Sequence, residues 1–274
     1  MISKLHPRFS EIIQLYMGQI EEASPALLEG WYLYGSVALD DYSIEKSDID
    51  FIAVTGKRLE AAEIALIRSI HEDVERQYAL PSLSGIYVTW ADLGKLQHEM
   101  APFPYFHDGQ MHEAGYFELN LVTWFELKKY GIAVKGPLTS ELPFQVDEQQ
   151  LMSSLLTNLD TYWKGWIHRA HRLSSPYAER KFFRRADLEW GVLGICRLFY
   201  TLRERDVTTK AAAGHYALEH VPGQWHRVIE EAILARRGVS FSLYRSKVKR
   251  KQEALACMAY IRRECKKLFV LQQQ

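Results

Sequence analysis

The spacing of apolar residues changes near residue 146, and this change divides the chain into two parts. In the first part, short apolar runs alternate with segments whose apolar residues recur at helical spacing. The apolar runs predict strands over residues 30–34, 49–55, 84–90 and 132–134. The helical spacing predicts helices over residues 7–22, 58–77 and 121–130. An α/β domain over residues 1–145 is therefore expected.

The second part shows only helical spacing, so an all-α domain is expected over residues 146–274. Its helices are predicted over residues 147–173, 178–203, 209–220, 224–236 and 244–270. In the first part, residues 101–116 are rich in Pro, Gly and His and contain the turn signal Asp108-Gly109. A turn is the structure that we predict in that segment.

The composition is that of a soluble globular protein, with 47% apolar and 25% charged residues. The chain has no apolar run long enough to span a membrane and no signal-peptide core near Met1, so we expect a cytoplasmic protein without a membrane partner. Three cysteines lie in helical sequence without metal-ligand spacing. The oligomeric state cannot be predicted from these patterns.

Charge is distributed unevenly although the formal net charge is zero. Residues 1–150 hold 11 Lys/Arg and 23 Asp/Glu, whereas the remaining residues hold 23 and 11. This asymmetry of about −12 against +12 suits a chain that takes an anionic nucleotide and a cationic acceptor. Two surfaces that merely differ in charge would explain it equally well.

The candidate chemistry begins with Gly35-Ser36, which ends the first predicted strand, and continues with Asp48-Ile49-Asp50, which opens the second. Residues i and i+2 of a strand share a face, so Asp48 and Asp50 present their carboxylates to one side. Two carboxylates beside a phosphate-binding turn suit Mg²⁺, which shares its ligand shell with phosphates. The Gly35-Ser36 turn offers backbone N–H groups and the serine hydroxyl to those phosphates.

The pattern Gly-Ser, spacer, Asp-x-Asp resembles the signature of the nucleotidyltransferase superfamily. Further segments narrow the resemblance to the aminoglycoside adenylyltransferases that modify streptomycin and spectinomycin; they are residues 117–124, 136–137, 187–200 and 209–217. The resemblance covers nearly the whole chain in the same order. It implies a nucleotidyltransferase domain with a mixed sheet and flanking helices, a C-terminal helical bundle, and ATP with Mg²⁺ as co-substrate and cofactor.

The resemblance also implies roles for individual residues. Gly35, Ser36, Asp48 and Asp50 would hold the metal and the triphosphate. The nucleotide would further be contacted by Arg197 and Lys210, and the acceptor by Trp124 and Asp187. Trp124 is equally expected in the core, since a tryptophan in a helix usually buries its ring. Salt bridges within the helical domain are the alternative for Asp187 and Arg197, and a plain helix-start lysine for Lys210.

One departure concerns the general base, which in this family is a glutamate on the third strand. The position that aligns best here is Tyr87, and tyrosine, with an ordinary pKa of about 10, is a poor base at neutral pH. Glu118 or Asp92 are expected as replacements. The alternatives are transfer without a dedicated base and a protein that binds nucleotide and acceptor but catalyses poorly.

The expected function is ATP- and Mg²⁺-dependent transfer of AMP to a hydroxyl of a small cationic acceptor, most plausibly an aminoglycoside. A weakly active or inactive nucleotide- and drug-binding protein, or adenylylation of another acceptor, remains open. Nucleic acid is not expected as a partner because the net charge is zero. The basic run 245–251 is interpreted as a solvated helix face, and the pairs His107/His112 and His168/His171 as surface residues.

Overall fold

The computed structural model describes residues 5–171 and 184–272 of the 274-residue chain. The chain divides into two units, Met1–Val146 and Asp147–Gln274. The domain boundary expected after residue 145 lies one residue before the border between these units. Among the described residues, no helix is both long and apolar enough to cross a membrane.

The first unit is organised around one six-stranded sheet. Its strands are β1 (Gly30–Leu33), β2 (Ile49–Thr55), β3 (Leu83–Thr89), β4 (Phe103–His107), β5 (Gln110–Gly115) and β6 (Ile132–Lys135). They follow the order β5-β4-β3-β2-β1-β6. The pair β2/β3 is parallel and the remaining pairs are antiparallel, so the sheet is mixed. The predicted fold class, an α/β part followed by a helical part, is confirmed.

Helices cover both faces of this sheet. They are α1 (Pro7–Ala23), α2 (Gly35–Ala38), α3 (Ala61–Gln77) and α4 (Leu121–Tyr130). Successive side chains of a strand point to opposite faces, so Phe51 of β2 packs with α1 and α3, whereas its neighbour Ile52 packs with Trp124 of α4. Both faces of the central strands are therefore buried, which explains their nearly continuous apolar sequence.

Local signals explain where these helices begin. Pro7 opens α1, where its missing N–H costs no hydrogen bond. Reciprocal contacts between Glu60 and Glu63 form a capping box at the start of α3. The side chain of Asn120 accepts hydrogen bonds from the N–H groups of Val122 and Thr123 and so caps α4.

Residues 103–115 form a β-hairpin, of which the sequence predicted the turn but not the two strands. Asp108 and Gly109 connect β4 to β5 with φ angles of 49° and 70°. A two-residue turn with both φ angles positive matches the twist of a hairpin, which is why Asp-Gly is common there. β5 lies at the edge of the sheet and exposes polar residues, so it lacks the apolar alternation of an interior strand.

The second unit is helical over its described residues. Its helices are α5 (Glu148–Asn158), α6 (Lys164–His171), α7 (Arg185–Glu204), α8 (Lys210–His220), α9 (His226–Arg236) and α10 (Lys247–Gln272). The predicted helix over residues 147–173 is interrupted, because Leu159–Trp163 forms a π-helical turn between α5 and α6. Parts of the first two predicted helices, residues 172–183, lie outside the described residues.

The interpretation of the basic run 245–251 as a solvated helix face holds for residues 245–249, which are exposed, and is wrong for Arg250 and Lys251. Arg250 and Lys251 are each only 5% exposed, whereas Val248, expected in the buried stripe, is 52% exposed. Arg250 lies 3.4 Å from the fully buried carboxylate of Glu231 on α9. An internal ion pair therefore turns part of this run inward.

Candidate active site

A row of polar side chains crosses the first sheet on the face that packs against α4. The N–H of Tyr34, next after β1, donates to the carbonyl of Asp50 on β2 at 3.1 Å. Asp50 is paired with Ser84 of β3 in the parallel register. Gly85 pairs with Phe106, so Ser84 stands opposite His107 at the end of β4, and Ser84 Oγ lies 3.1 Å from His107 Nδ1. Four adjacent strands thus bring Tyr34, Asp50, Ser84 and His107 together.

The Gly35-Ser36 turn lies directly against Asp50. Gly35 has φ +65°, and a β-carbon built on it would stand 2.3 Å from Asp50 Oδ2. Only glycine accepts this backbone conformation and this close approach together. Gly35 begins the single helical turn α2, and Ser36 beside it is half-buried. The predicted turn and the predicted carboxylate are therefore in contact.

Asp48 and Asp50 stand at the start of β2, where Asp48 is exposed and Asp50 is half-buried. The buried Ser47 holds the preceding loop, because its Oγ accepts a hydrogen bond of 3.0 Å from the N–H of Ser43. Of the two, Asp50 is the carboxylate that lies against the Gly35 turn, whereas Asp48 precedes the first residue of β2.

This donor set fits Mg²⁺. Among the described residues, no group of three or more His, Cys, Asp or Glu side chains is placed to hold a metal ion. Magnesium is commonly held by one or two carboxylates, with substrate phosphates and water completing its shell. The carboxylates of Asp48 and Asp50 meet that requirement, whereas a structural zinc ion would need four protein ligands.

Two further carboxylates, those of Glu118 and Glu126, lie within electrostatic range of Tyr34. Its buried hydroxyl has a pKa well above the ordinary value, first because of burial and then because of the carboxylates of Asp50, Glu118 and Glu126. Glu118 is exposed in the loop before α4 and has φ 52°, a conformation that non-glycine residues seldom adopt. Glu118 therefore lies within electrostatic range of Tyr34, as Asp50 does.

Glu126 is a site residue that sequence reasoning missed. It is only 4% exposed on α4, within electrostatic range of Tyr34. A charged residue among the inward-facing positions Trp124 and Leu127 is the signal that points to it, since carboxylates are rarely buried without a function or a partner. It adds negative charge to the face that carries Asp50.

Trp124 lies in the core, so a contact between its ring and a small acceptor is not supported. The residue is fully buried, and its indole N–H donates to the carbonyl of Lys95 at 2.8 Å. Its ring packs edge-on against Phe144, with 5.7 Å between the ring centres. The core alternative accounts for every described contact of Trp124.

Tyr87 points away from the candidate site, and its assignment to the position of the general base is wrong. Register pairs it with Ala53, on the opposite face from Asp50. There the Tyr87 hydroxyl lies 2.6 Å from both the Tyr16 hydroxyl and His71 Nε2. Burial raises the pKa of Tyr87 well above its ordinary value and lowers that of His71 to about 3. These three residues form an internal network.

Asp92 also lies away from Asp50, so the expectation that it replaces the base is wrong. It follows the far end of β3 and accepts hydrogen bonds from the N–H and hydroxyl of Thr89 at 2.8 and 2.7 Å. Arg58 pairs with it at 2.7 Å. Five residues of strand, roughly 16 Å, separate Thr89 from Ser84. Asp92 therefore closes the end of the strand.

The remaining predicted site residues belong to the second unit. Asp187 and Arg197 are both half-buried on α7, roughly 15 Å apart along its axis by helical rise. Lys210 is half-buried at the first position of α8, directly after Thr209, whose hydroxyl accepts from the N–H of Ala212 at 3.1 Å. Each of the three side chains has interactions with its surroundings.

The sequence is similar to those of known aminoglycoside adenylyltransferases. Residues 144–263 match the family model of the aminoglycoside adenylyltransferase C-terminal domain. An aminoglycoside (3'') (9) adenylyltransferase of Klebsiella pneumoniae is 27% identical over 251 residues, 85% of each chain. The Escherichia coli protein of the same name is 26% identical over the same shares.

A solved structure shows that the fold is shared as well. A spectinomycin adenyltransferase from Enterococcus faecialis, crystallised with ATP and spectinomycin, matches with a TM-score of 0.61 at 15% identity. The match covers 94% of this chain and 98% of that chain. The resemblance to aminoglycoside adenylyltransferases is thus confirmed, and it extends over both units.

Proposed function

We propose that this protein transfers AMP from ATP to a hydroxyl group of an aminoglycoside, with Mg²⁺ as cofactor. The observation that carries the proposal is the contact between the Gly35 turn and the carboxylate of Asp50, with Asp48 two residues earlier in the chain. Similarity to adenylyltransferases over 85% of the chain supports the reaction class. Modification of this kind would inactivate the antibiotic and confer resistance.

Asp48 and Asp50 would hold Mg²⁺, since they supply the hard anionic oxygens that this ion prefers. When bound, the ion polarises the phosphoryl oxygens and offsets the negative charge of the triphosphate. The N–H groups of the Gly35 turn and the hydroxyl of Ser36 would bind the terminal phosphates and orient them. In the transfer, the acceptor oxygen bonds to the α-phosphorus, the bond to the β-phosphate oxygen breaks, and pyrophosphate leaves.

Residues of the second unit would bind the two substrates. Arg197 and Lys210 are cations at positions that the family resemblance assigns to the nucleotide, and both heads bind phosphate well. Asp187 would receive an ammonium or hydroxyl group of the acceptor. The acceptor is cationic, so a carboxylate is the side chain expected to select it.

The proton of the acceptor hydroxyl also needs a base. Glu118 is the carboxylate candidate for this role, since it lies within electrostatic range of Tyr34. The seven residues of β3 contain no carboxylate.

The test is an adenylylation assay with ATP, Mg²⁺ and a panel of aminoglycosides, read by pyrophosphate release and product mass. We expect turnover with at least one cationic acceptor. D50N and D48N should each lower kcat at least about 100-fold, since a metal ligand contributes several kcal/mol to the transition state. D73N is the matched control, because Asp73 is exposed and paired with Arg76. Turnover that persists in D48N and D50N would overturn the proposal.

A second candidate function follows from the absence of a carboxylate on β3. The protein would then bind ATP and an aminoglycoside but transfer AMP slowly or not at all. Calorimetry distinguishes the two candidates: saturable binding of both ligands without measurable product supports this one. Measurable product formation would rule out this second candidate.

A further inference from the structure

A base on β3 would have to act from the position of Ser84. His107 on β4 is the next residue of the polar row. Ser84 is the residue of β3 that faces the same side as Asp50, and it is only 3% exposed. His107 stands beyond it, one strand further, so its backbone lies roughly 10 Å from that of Asp50. The row therefore places an imidazole on the same face of the sheet as Asp50, with Ser84 between them.

Contacts on three sides orient the imidazole ring. Nδ1 lies 3.1 Å from Ser84 Oγ, and the ring packs on Phe117 with 4.3 Å between centres. Nε2 lies 3.5 Å from a carboxylate oxygen of Asp108. The side chain is nevertheless 36% exposed, so a small acceptor can reach it. A positioned yet accessible imidazole is what general-base catalysis requires.

The charged groups around His107 are mostly acidic. Asp108 follows it in the turn, Glu75 of α3 lies 3.1 Å from the position of a β-carbon on Gly109, and Glu118 follows Phe117. Asp50 stands two strands away in the row, and His112 on β5 stacks on Tyr105. These are the charged and titratable groups that surround the ring.

We propose that His107 is the general base that accepts the proton of the acceptor hydroxyl, in place of a carboxylate on β3. The inference rests on the proposed function, AMP transfer to an aminoglycoside. Nδ1–H donates to Ser84 Oγ, which leaves Nε2 as the acceptor of the proton. The acceptor oxygen then bonds to the α-phosphorus, pyrophosphate leaves with the electron pair of the broken P–O bond, and the imidazolium returns its proton to water. Ser84 is a positioning residue, since it acts through His107.

The experiment compares H107Q, H107A, E118Q and H112Q by kcat, KM for ATP and pH–rate profile. H107Q should lose on the order of 100-fold or more in kcat, the usual contribution of a general base, while its KM for ATP changes less than about twofold. A base must be unprotonated, so wild-type kcat/KM falls as the pH is lowered, and this acidic limb should be absent in H107Q. Free imidazole should restore part of the activity of H107A and none of that of D50N.

H112Q is the matched control, because it removes a histidine from the same sheet outside the row; its kcat should stay within about twofold of wild type. S84A should lower kcat less than H107Q and keep the acidic limb. If H107Q turns over normally while E118Q loses activity and the limb, Glu118 is the base and this inference is overturned. Absence of product from the unsubstituted chain would instead overturn the proposed function and this inference together.

Discussion

At the scale of single residues, the contact between Gly35 and Asp50 sets the geometry of the candidate site. The turn can lie against the carboxylate only because Gly35 has no side chain and adopts φ +65°. The same carboxylate helps to keep Tyr34 protonated, as its raised pKa shows. The backbone of Gly35, the carboxylate of Asp50 and the buried hydroxyl of Tyr34 therefore depend on one another's positions.

Substitution of Gly35 by alanine tests this coupling. The new β-carbon would meet Asp50 Oδ2, and alanine at positive φ costs about 1–2 kcal/mol, so G35A should unfold more easily by that amount. Because Asp50 must move, kcat should also fall by at least about tenfold. Chemical denaturation and the adenylylation assay measure the two effects.

Gly18→Ala serves as the comparison, since no atom lies within 4 Å of a β-carbon at that position of α1. G18A should be neutral or slightly stabilising, because alanine favours a helix over glycine by up to about 1 kcal/mol. Wild-type stability and activity in G35A would show that the contact is not needed.

The placement of Asp48 and the burial of Trp124 differ in how far they can be predicted from the sequence. The spacing of Asp48 and Asp50 on a strand follows from local geometry, so their common face was predictable. The burial of Trp124 depends on Lys95 and Phe144, which are 29 and 20 positions away in the sequence. An aromatic residue in a helix has the same local pattern whether it meets a ligand or the core.

At the scale of secondary-structure elements, the alternation of β3 decides which side chains reach the site. A shift of one residue moves every side chain of a strand to the opposite face. Sequence reasoning placed Tyr87 at the functional position, whereas the register with β2 puts Ser84 there. The hairpin β4–β5 was missed for a related reason, because its exposed edge strand has no clear apolar period, although Asp108-Gly109 signalled its turn.

The helical unit contains an element-scale feature that is testable, a buried carboxylate that joins three helices. Glu231 on α9 lies 3.0 Å from Arg185 Nε on α7 and 3.4 Å from Arg250 on α10. It also accepts from the Ser242 hydroxyl and the N–H of Leu243, both at 2.7 Å. The ion pair explains why part of the basic run 245–251 is buried.

Glu231→Ala should destabilise the second unit by about 3 kcal/mol or more, because it leaves buried arginine charge uncompensated. Glu264→Ala is the control on α10, since Glu264 pairs with the largely exposed Lys267, and such pairs contribute less than about 1 kcal/mol. Thermal unfolding followed by circular dichroism measures both. Equal stability of the two variants would contradict a structural role for Glu231.

At the scale of the whole molecule, charge is divided between the two parts of the chain. Residues 1–150 carry a formal charge of −12 and the remainder +12. The acidic part holds Asp48 and Asp50, which suit a cation, and the basic part holds Arg197 and Lys210, which suit a phosphate.

Lys210→Ala tests the contribution of the basic unit. A charge-assisted hydrogen bond to phosphate contributes about 1.5–3 kcal/mol, so KM for ATP should rise by at least about tenfold in K210A. Its melting temperature should change little, because Thr209 still caps α8. K267A is the control, since Lys267 is 69% exposed in the same unit. An unchanged KM for ATP would remove Lys210 from the nucleotide site.

The sequence by itself determined the fold class, the choice of Asp48 and Asp50 as candidate metal ligands, and the turn at Gly35. Each depends on residues close together in the chain, where periodicity and turn chemistry act. Only the tertiary structure decided that Ser84 and not Tyr87 faces Asp50, and that His107 completes the row. Strand register and helix packing join residues 20 or more positions apart, and they are selected by the burial of whole faces, which no local pattern records.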